Sequence, residues 1–90
     1  MFALQSLIAR NGAVCKEYYQ PNSTGPIPGV VFASLLAKSP TECGAKTYDS
    51  EAEALADIPN WLAVNRRTAE EKGHVFDEAY FNGTVSVVNA

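Results

Sequence analysis

Chemistry in a chain of 90 residues must come from a short list of side chains, and His74 heads it because it is the only histidine. Any Ser-His or Cys-His nucleophile pair has to use it. No Gly-x-Ser-x-Gly elbow is present, and a position just past a helix end reads as a boundary site near the negative pole of the helix dipole. Cys15 and Cys43 suffice for one disulfide, which would stabilise by ~3 to 4 kcal/mol in the chain-entropy model. Without a secretory leader the expectation is two free thiols: Cys15 as a small buried hydrophobe, Cys43 as the more accessible one in a polar loop. A single histidine and no Cys-x-x-Cys pair argue against structural zinc. The carboxylate pairs Glu70-Glu71 and Asp77-Glu78 are adjacent in sequence and so point apart, which does not suit a glycosidase pair. The six glycines are dispersed and form no phosphate-binding loop. The expectation is a protein that is not an enzyme, with no catalytic residue, no metal and no cofactor.

The elements that would hold these side chains follow from turn and cap signals. Asn11-Gly12 supplies the two positive φ angles of a type I′ hairpin turn. A two-residue turn sets Arg10 opposite Ala13, Ile8 opposite Cys15, Ser6 opposite Glu17 and Leu4 opposite Tyr19. One face then carries Phe2, Leu4, Ile8, Cys15 and Tyr19 with Glu17 as a misfit. The other carries Leu7, Val14 and Tyr18 with Gln5 and Lys16, so both faces are expected to be partly covered. Three prolines between Gln20 and Gly29 make a loop. Val30 to Lys38 reads as a strand bent near Ala33-Ser34, and Ala45 to Tyr48 as another. Ser50 followed by Glu53 is a capping box, opening a helix from Glu51 to about Lys72 that Gly73 closes. Pro59 inside it predicts a kink, or a restart with Asp57 as cap. Stepping about 100° per residue puts Leu55, Ile58, Leu62 and Ala69 toward the core with Trp61 and Ala54 flanking. Asn82-Gly83 predicts a second hairpin, with Phe76, Tyr80, Val85 and Val87 on one face. The fold class expected is α+β: an antiparallel sheet of four to six strands with one kinked helix on one face, ordered β-β-β-β-α-β-β, forming a single domain over residues 1–90.

At 47% apolar and 19% charged the chain is neither disordered nor membrane-spanning, and with no leader-like start it is expected in the cytoplasm. The net charge of -3 divides unevenly. Residues 1–48 hold four cations against two acids, net +2, while residues 49–90 hold eight acids against three cations, net -5. Such acidity argues against a direct grip on DNA phosphates and suits docking on a basic surface of a protein or ribonucleoprotein. Opposite the expected core stripe of the helix lie Glu53, Asp57, Asn60, Val64, Arg67 and Glu71, the candidate partner-binding residues, with Val64 read as an exposed apolar contact.

In length, acidity and the strand-to-helix passage AKTYDSEAEALADIP, about one-sixth of the sequence, the chain resembles the small accessory proteins of phages and mobile elements, among them anti-CRISPR proteins. No family motif is matched residue by residue, so no functional residue is carried over. The resemblance implies an inhibitor that docks on a CRISPR effector complex, in the host cytoplasm, and blocks its nucleic-acid-binding surface by mimicry or obstruction. The alternative is a structural or self-associating module, a homodimer included, in which the Thr84 to Val88 edge adds to a partner's sheet.

Overall fold

Two extended segments around Asn11-Gly12 build the centre of the sheet in the computed structural model, which describes residues 1–10, 12–25, 27–34, 36 and 39–90. Strand β1 (Phe2–Arg10) pairs antiparallel with β2 (Ala13–Tyr19), setting Arg10 opposite Ala13, Ile8 opposite Cys15 and Ser6 opposite Glu17 as the two-residue turn requires. Gly12 takes φ 79°, the left-handed conformation such a turn demands; Asn11 lies outside the described residues. A short β3 (Val30–Phe32) joins β2, and β4 (Ser86–Asn89) joins β1, giving the antiparallel order β3-β2-β1-β4. Gly29 ends the proline-rich loop at φ 85°, and a Cβ there would stand 2.7 Å from Val64 Cγ1.

Three expectations are corrected here. The strand read over Val30 to Lys38 is confined to Val30–Phe32, and Leu35, Ala37 and Lys38 of that stretch lie outside the described residues. Ala45 to Tyr48 is not a strand. It crosses the ends of β2 and β1 and touches each once: Lys46 N–H donates to Tyr19 O at 2.9 Å, and Tyr48 and Phe2 exchange both backbone bonds at 2.8 and 2.9 Å. The second hairpin is replaced by a helix. Asp77 Oδ1 accepts from Tyr80 N–H at 3.0 Å and caps α2 (Glu78–Thr84), with Asn82-Gly83 inside its last turn. A carboxylate cap followed by Glu78 and Ala79 favours helix locally, and the helical phase turns Phe81 inward and leaves Tyr80 exposed. The order is thus β-β-β-α-α-β, with a 3-10 turn over Thr41–Cys43.

Helix α1 (Glu51–Lys72) begins where Ser50 Oγ accepts from Glu53 N–H at 3.2 Å and ends at Gly73 with φ 71°. It runs through Pro59 without restarting at Asp57. Pro59 and Leu55, whose carbonyl the proline leaves without its helical donor, are both exposed, so water can take that bond. The buried stripe is Ala54, Trp61 and Ala69, with Ile58 and Leu62 at its border and Leu55 at 51% exposure. Relative to the stripe centred on Leu55 and Leu62, the helix is rolled by about 70°.

The core lies between this stripe and the sheet: Leu4, Tyr19, Val30 and Tyr48 meet Ala54, Trp61 and Phe81. The opposite sheet face is also covered, by a smaller cluster of Ala3, Tyr18 and Ala45 against which Cys43 and Val88 pack. Cys15 and Cys43 are both free thiols and both half-buried, so neither the full burial expected of Cys15 nor the greater access expected of Cys43 is found. Among the described residues no helix is long and apolar enough to cross a membrane.

Candidate functional site

The roll of α1 decides where the six candidate residues stand. Glu53, Asn60, Arg67 and Glu71 are exposed along one side of the helix, whereas Asp57 and Val64 are turned partly inward. Val64 packs on the core beside Gly29 and is not the exposed contact expected of it. Asp57 is the centre of a polar cluster. Its Oδ2 accepts from Lys46 Nζ at 2.9 Å and from Tyr48 Oη at 2.5 Å, and its Oδ1 accepts from Asn60 Nδ2 at 2.6 Å. Its side chain is 13% exposed.

The electrostatics follow from that geometry. Burial pushes the Asp57 carboxyl up, but the hydrogen bonds from Asn60, Tyr48 and Lys46, with the Lys46 charge, outweigh it and hold the group below the ordinary aspartate range. Burial and the hydrogen bond to Asp57 hold the Tyr48 phenol protonated far above the ordinary tyrosine range. With Asp57 held ionised and Tyr48 held protonated, the cluster fastens residues 46–48 to the first half of α1.

A second assembly occupies the other end of α1. Around Trp61 the helix and sheet are filled by aromatic rings, but farther along the inward positions are Asn65, Thr68 and Ala69, facing Ser6, Ile8 and Glu17 of the hairpin across an open cleft of about 430 Å³. Phe76, Tyr80 and Phe81 wall its end and Ile27 its side. Ser6 and Glu17 are 2% and 6% exposed, and Asn65 Nδ2 is buried with no hydrogen-bond partner among the described residues. His74 stands at the cleft but is itself exposed. No family model, curated protein or solved structure matches this chain. Its two polar assemblies are therefore read from geometry alone.

Cys15 does not line this cleft, and among the described residues no group of three His, Cys, Asp or Glu side chains is placed to hold a metal ion. The arrangement can bind: it offers apolar walls with a few converging polar atoms. Sequence reasoning missed the cleft although one signal for it was present. The hairpin register put Ser6 and the misfit Glu17 on the helix-facing side, and polar residues set in pairs on a core face mark a place where helix and sheet do not close.

Proposed function

We propose that this chain is a non-enzymatic binding protein that docks through the exposed acidic side of α1 on a basic surface of a protein or ribonucleoprotein, in the manner of a phage-type, anti-CRISPR-like inhibitor that covers a nucleic-acid-binding surface. The observation that carries the reading is the exposure of Glu53 and Glu71 on one side of α1, within a half of the chain whose Asp49, Glu51, Glu70 and Asp77 are exposed as well. Of the cations in that half, Arg66 is already bound to Glu78, its Nε donating at 2.6 Å. Asp57 drops out of the docking set because its carboxylate is committed to Lys46, Tyr48 and Asn60.

Glu53 and Glu71 lie roughly 27 Å apart along the helix at ~1.5 Å per residue, with Asn60 and Arg67 between them. That spacing is too sparse to imitate a phosphate backbone, which carries a charge every ~1.7 Å of duplex axis. Obstruction by a docked helix fits the face better than mimicry. The expected result is that Glu53→Lys with Glu71→Lys weakens capture of a purified CRISPR effector complex by about tenfold or more. Wild-type capture should also fall between about 0.1 M and about 1 M salt, as screening shortens from ~10 Å to ~3 Å. Capture indifferent to both changes removes this face as the docking surface.

A second reading rests on β4. Tyr48 takes the backbone bonds of Phe2 on one side of β1, and Ala90 N–H donates to Met1 O on the other. By antiparallel alternation, the N–H and C=O groups of Val87 and Asn89 point away from β1 at the sheet's edge. A second copy could pair there, although four residues give a short seam. Sedimentation should then show a concentration-dependent dimer, and a strict monomer at high concentration ends this reading.

A further inference from the structure

We infer that the cleft between the hairpin, the second half of α1 and α2 is a binding site for a small, planar, non-anionic molecule that carries a hydrogen-bond acceptor, such as a heteroaromatic ring with a ring carbonyl. Three observations converge on it. The volume of about 430 Å³ falls within the ~300 to 1,000 Å³ of small-molecule sites, and the hairpin, α1 and α2 each contribute a wall. The walls are apolar and aromatic where a flat ring would lie, with Ile8, Ile27, Phe76 and Phe81 around the space. Inside, Asn65 Nδ2 is a buried donor without an acceptor among the described residues. A buried amide in that state is disfavoured in the isolated chain, and because Asn65 lines the cleft, a turn of its side chain toward the space would let a ligand acceptor satisfy it.

The lining does not suit an anion: its charged side chains are Lys72 against Glu17 and Asp77, one cation against two acids, and Glu17 is the buried one. The site is independent of the acidic side of α1: Glu53, Asn60, Arg67 and Glu71 do not line it. Occupancy of the cleft and docking through the helix can therefore fail or succeed separately.

The test uses two soluble planar probes, 2-quinolone, which has a ring carbonyl, and indole, which has an N–H donor and no carbonyl. Each is titrated into the full chain while the amide signals are followed by two-dimensional NMR. The expected result is saturable shifts for 2-quinolone at Ser6, Ile8, Thr68, Ala69 and the Asn65 side chain, with indole weaker by about tenfold or more. Asn65→Leu is expected to weaken 2-quinolone by a similar factor while leaving the melting temperature unchanged or higher. If Asn65→Leu does not fold, Asn65→Asp, which replaces the donor by an acceptor of the same shape, is titrated in its place and should show the same loss. The inference is overturned by shifts that do not saturate, by equal affinity for the two probes, or by a folded Asn65 variant that binds 2-quinolone as well as the wild type.

Discussion

Trp61→Ala is expected to cost about 3 to 5 kcal/mol of stability, the largest loss of any single substitution in this chain. The indole is fully buried, stacked on Tyr19 with ring centroids 5.4 Å apart and 24° between planes, and edge-on to Phe81 at 5.1 Å and 86°. It thus ties both the sheet and the second helix to α1. Truncation would leave a cavity bordered by two rings that are themselves fixed by backbone pairing and by the α2 cap. Small domains sit near the low end of ~5 to 15 kcal/mol, and a loss of this size lowers the melting temperature by roughly 12 to 40 °C at ~4 to 8 °C per kcal/mol. Trp61→Phe should cost far less, because it keeps a ring and deletes an indole N–H that has no acceptor among the described residues. Thermal unfolding followed by far-ultraviolet circular dichroism measures both, since Trp61 is the only tryptophan and its fluorescence vanishes with it. A loss below about 1 kcal/mol for the alanine variant would move the organising core elsewhere.

What the sequence disclosed and what it concealed have separate physical causes. The first hairpin was legible to the residue because Asn-Gly fixes turn length, and turn length fixes register. Helix α1 was legible because its ends are local chemistry, a serine cap and a left-handed glycine. Its phase was not. Leu55 and Leu62 dominate a simple hydrophobic projection, yet the single Trp61 outweighs them in buried area, and Asp57 can turn inward only because Lys46 and Tyr48 wait for it from another segment. The same reasoning explains α2. Asn82-Gly83 imitates the first hairpin signal, but the Asp77 cap together with burial of Phe81 against Trp61 favours the helix, a choice that depends on a tertiary contact. The cleft was hidden for the related reason that Glu17 looks like an isolated misfit until the roll of α1 sets Asn65 across from it.

Asp57→Asn is the substitution that should separate charge from shape in the polar cluster, and its effect should depend on pH. The folded carboxyl lies below the ordinary aspartate value of about 3.9, so the folded state binds the proton less readily than the unfolded state. The sign follows from linkage: the cluster's contribution is fully present above the unfolded value and is lost as pH falls through the folded value. Wild-type stability should therefore decline from about pH 5 downward, and the part of that slope due to Asp57 should be missing in Asp57→Asn. At neutral pH the asparagine can still accept from Tyr48 Oη, which would otherwise be a buried donor without an acceptor, but Lys46 loses its counter-charge. Lys46 is 40% exposed, so water recovers much of that loss, and a cost of about 1 kcal/mol is expected. Asp57→Ala removes both acceptor oxygens and should cost about 2 to 3 kcal/mol, since it strands the Tyr48 hydroxyl as well. Urea denaturation of the three proteins at neutral and acidic pH reads all of this. Equal acid slopes for wild type and Asp57→Asn would mean that the carboxylate does not hold residues 46–48 to α1, and the docking set would then regain Asp57.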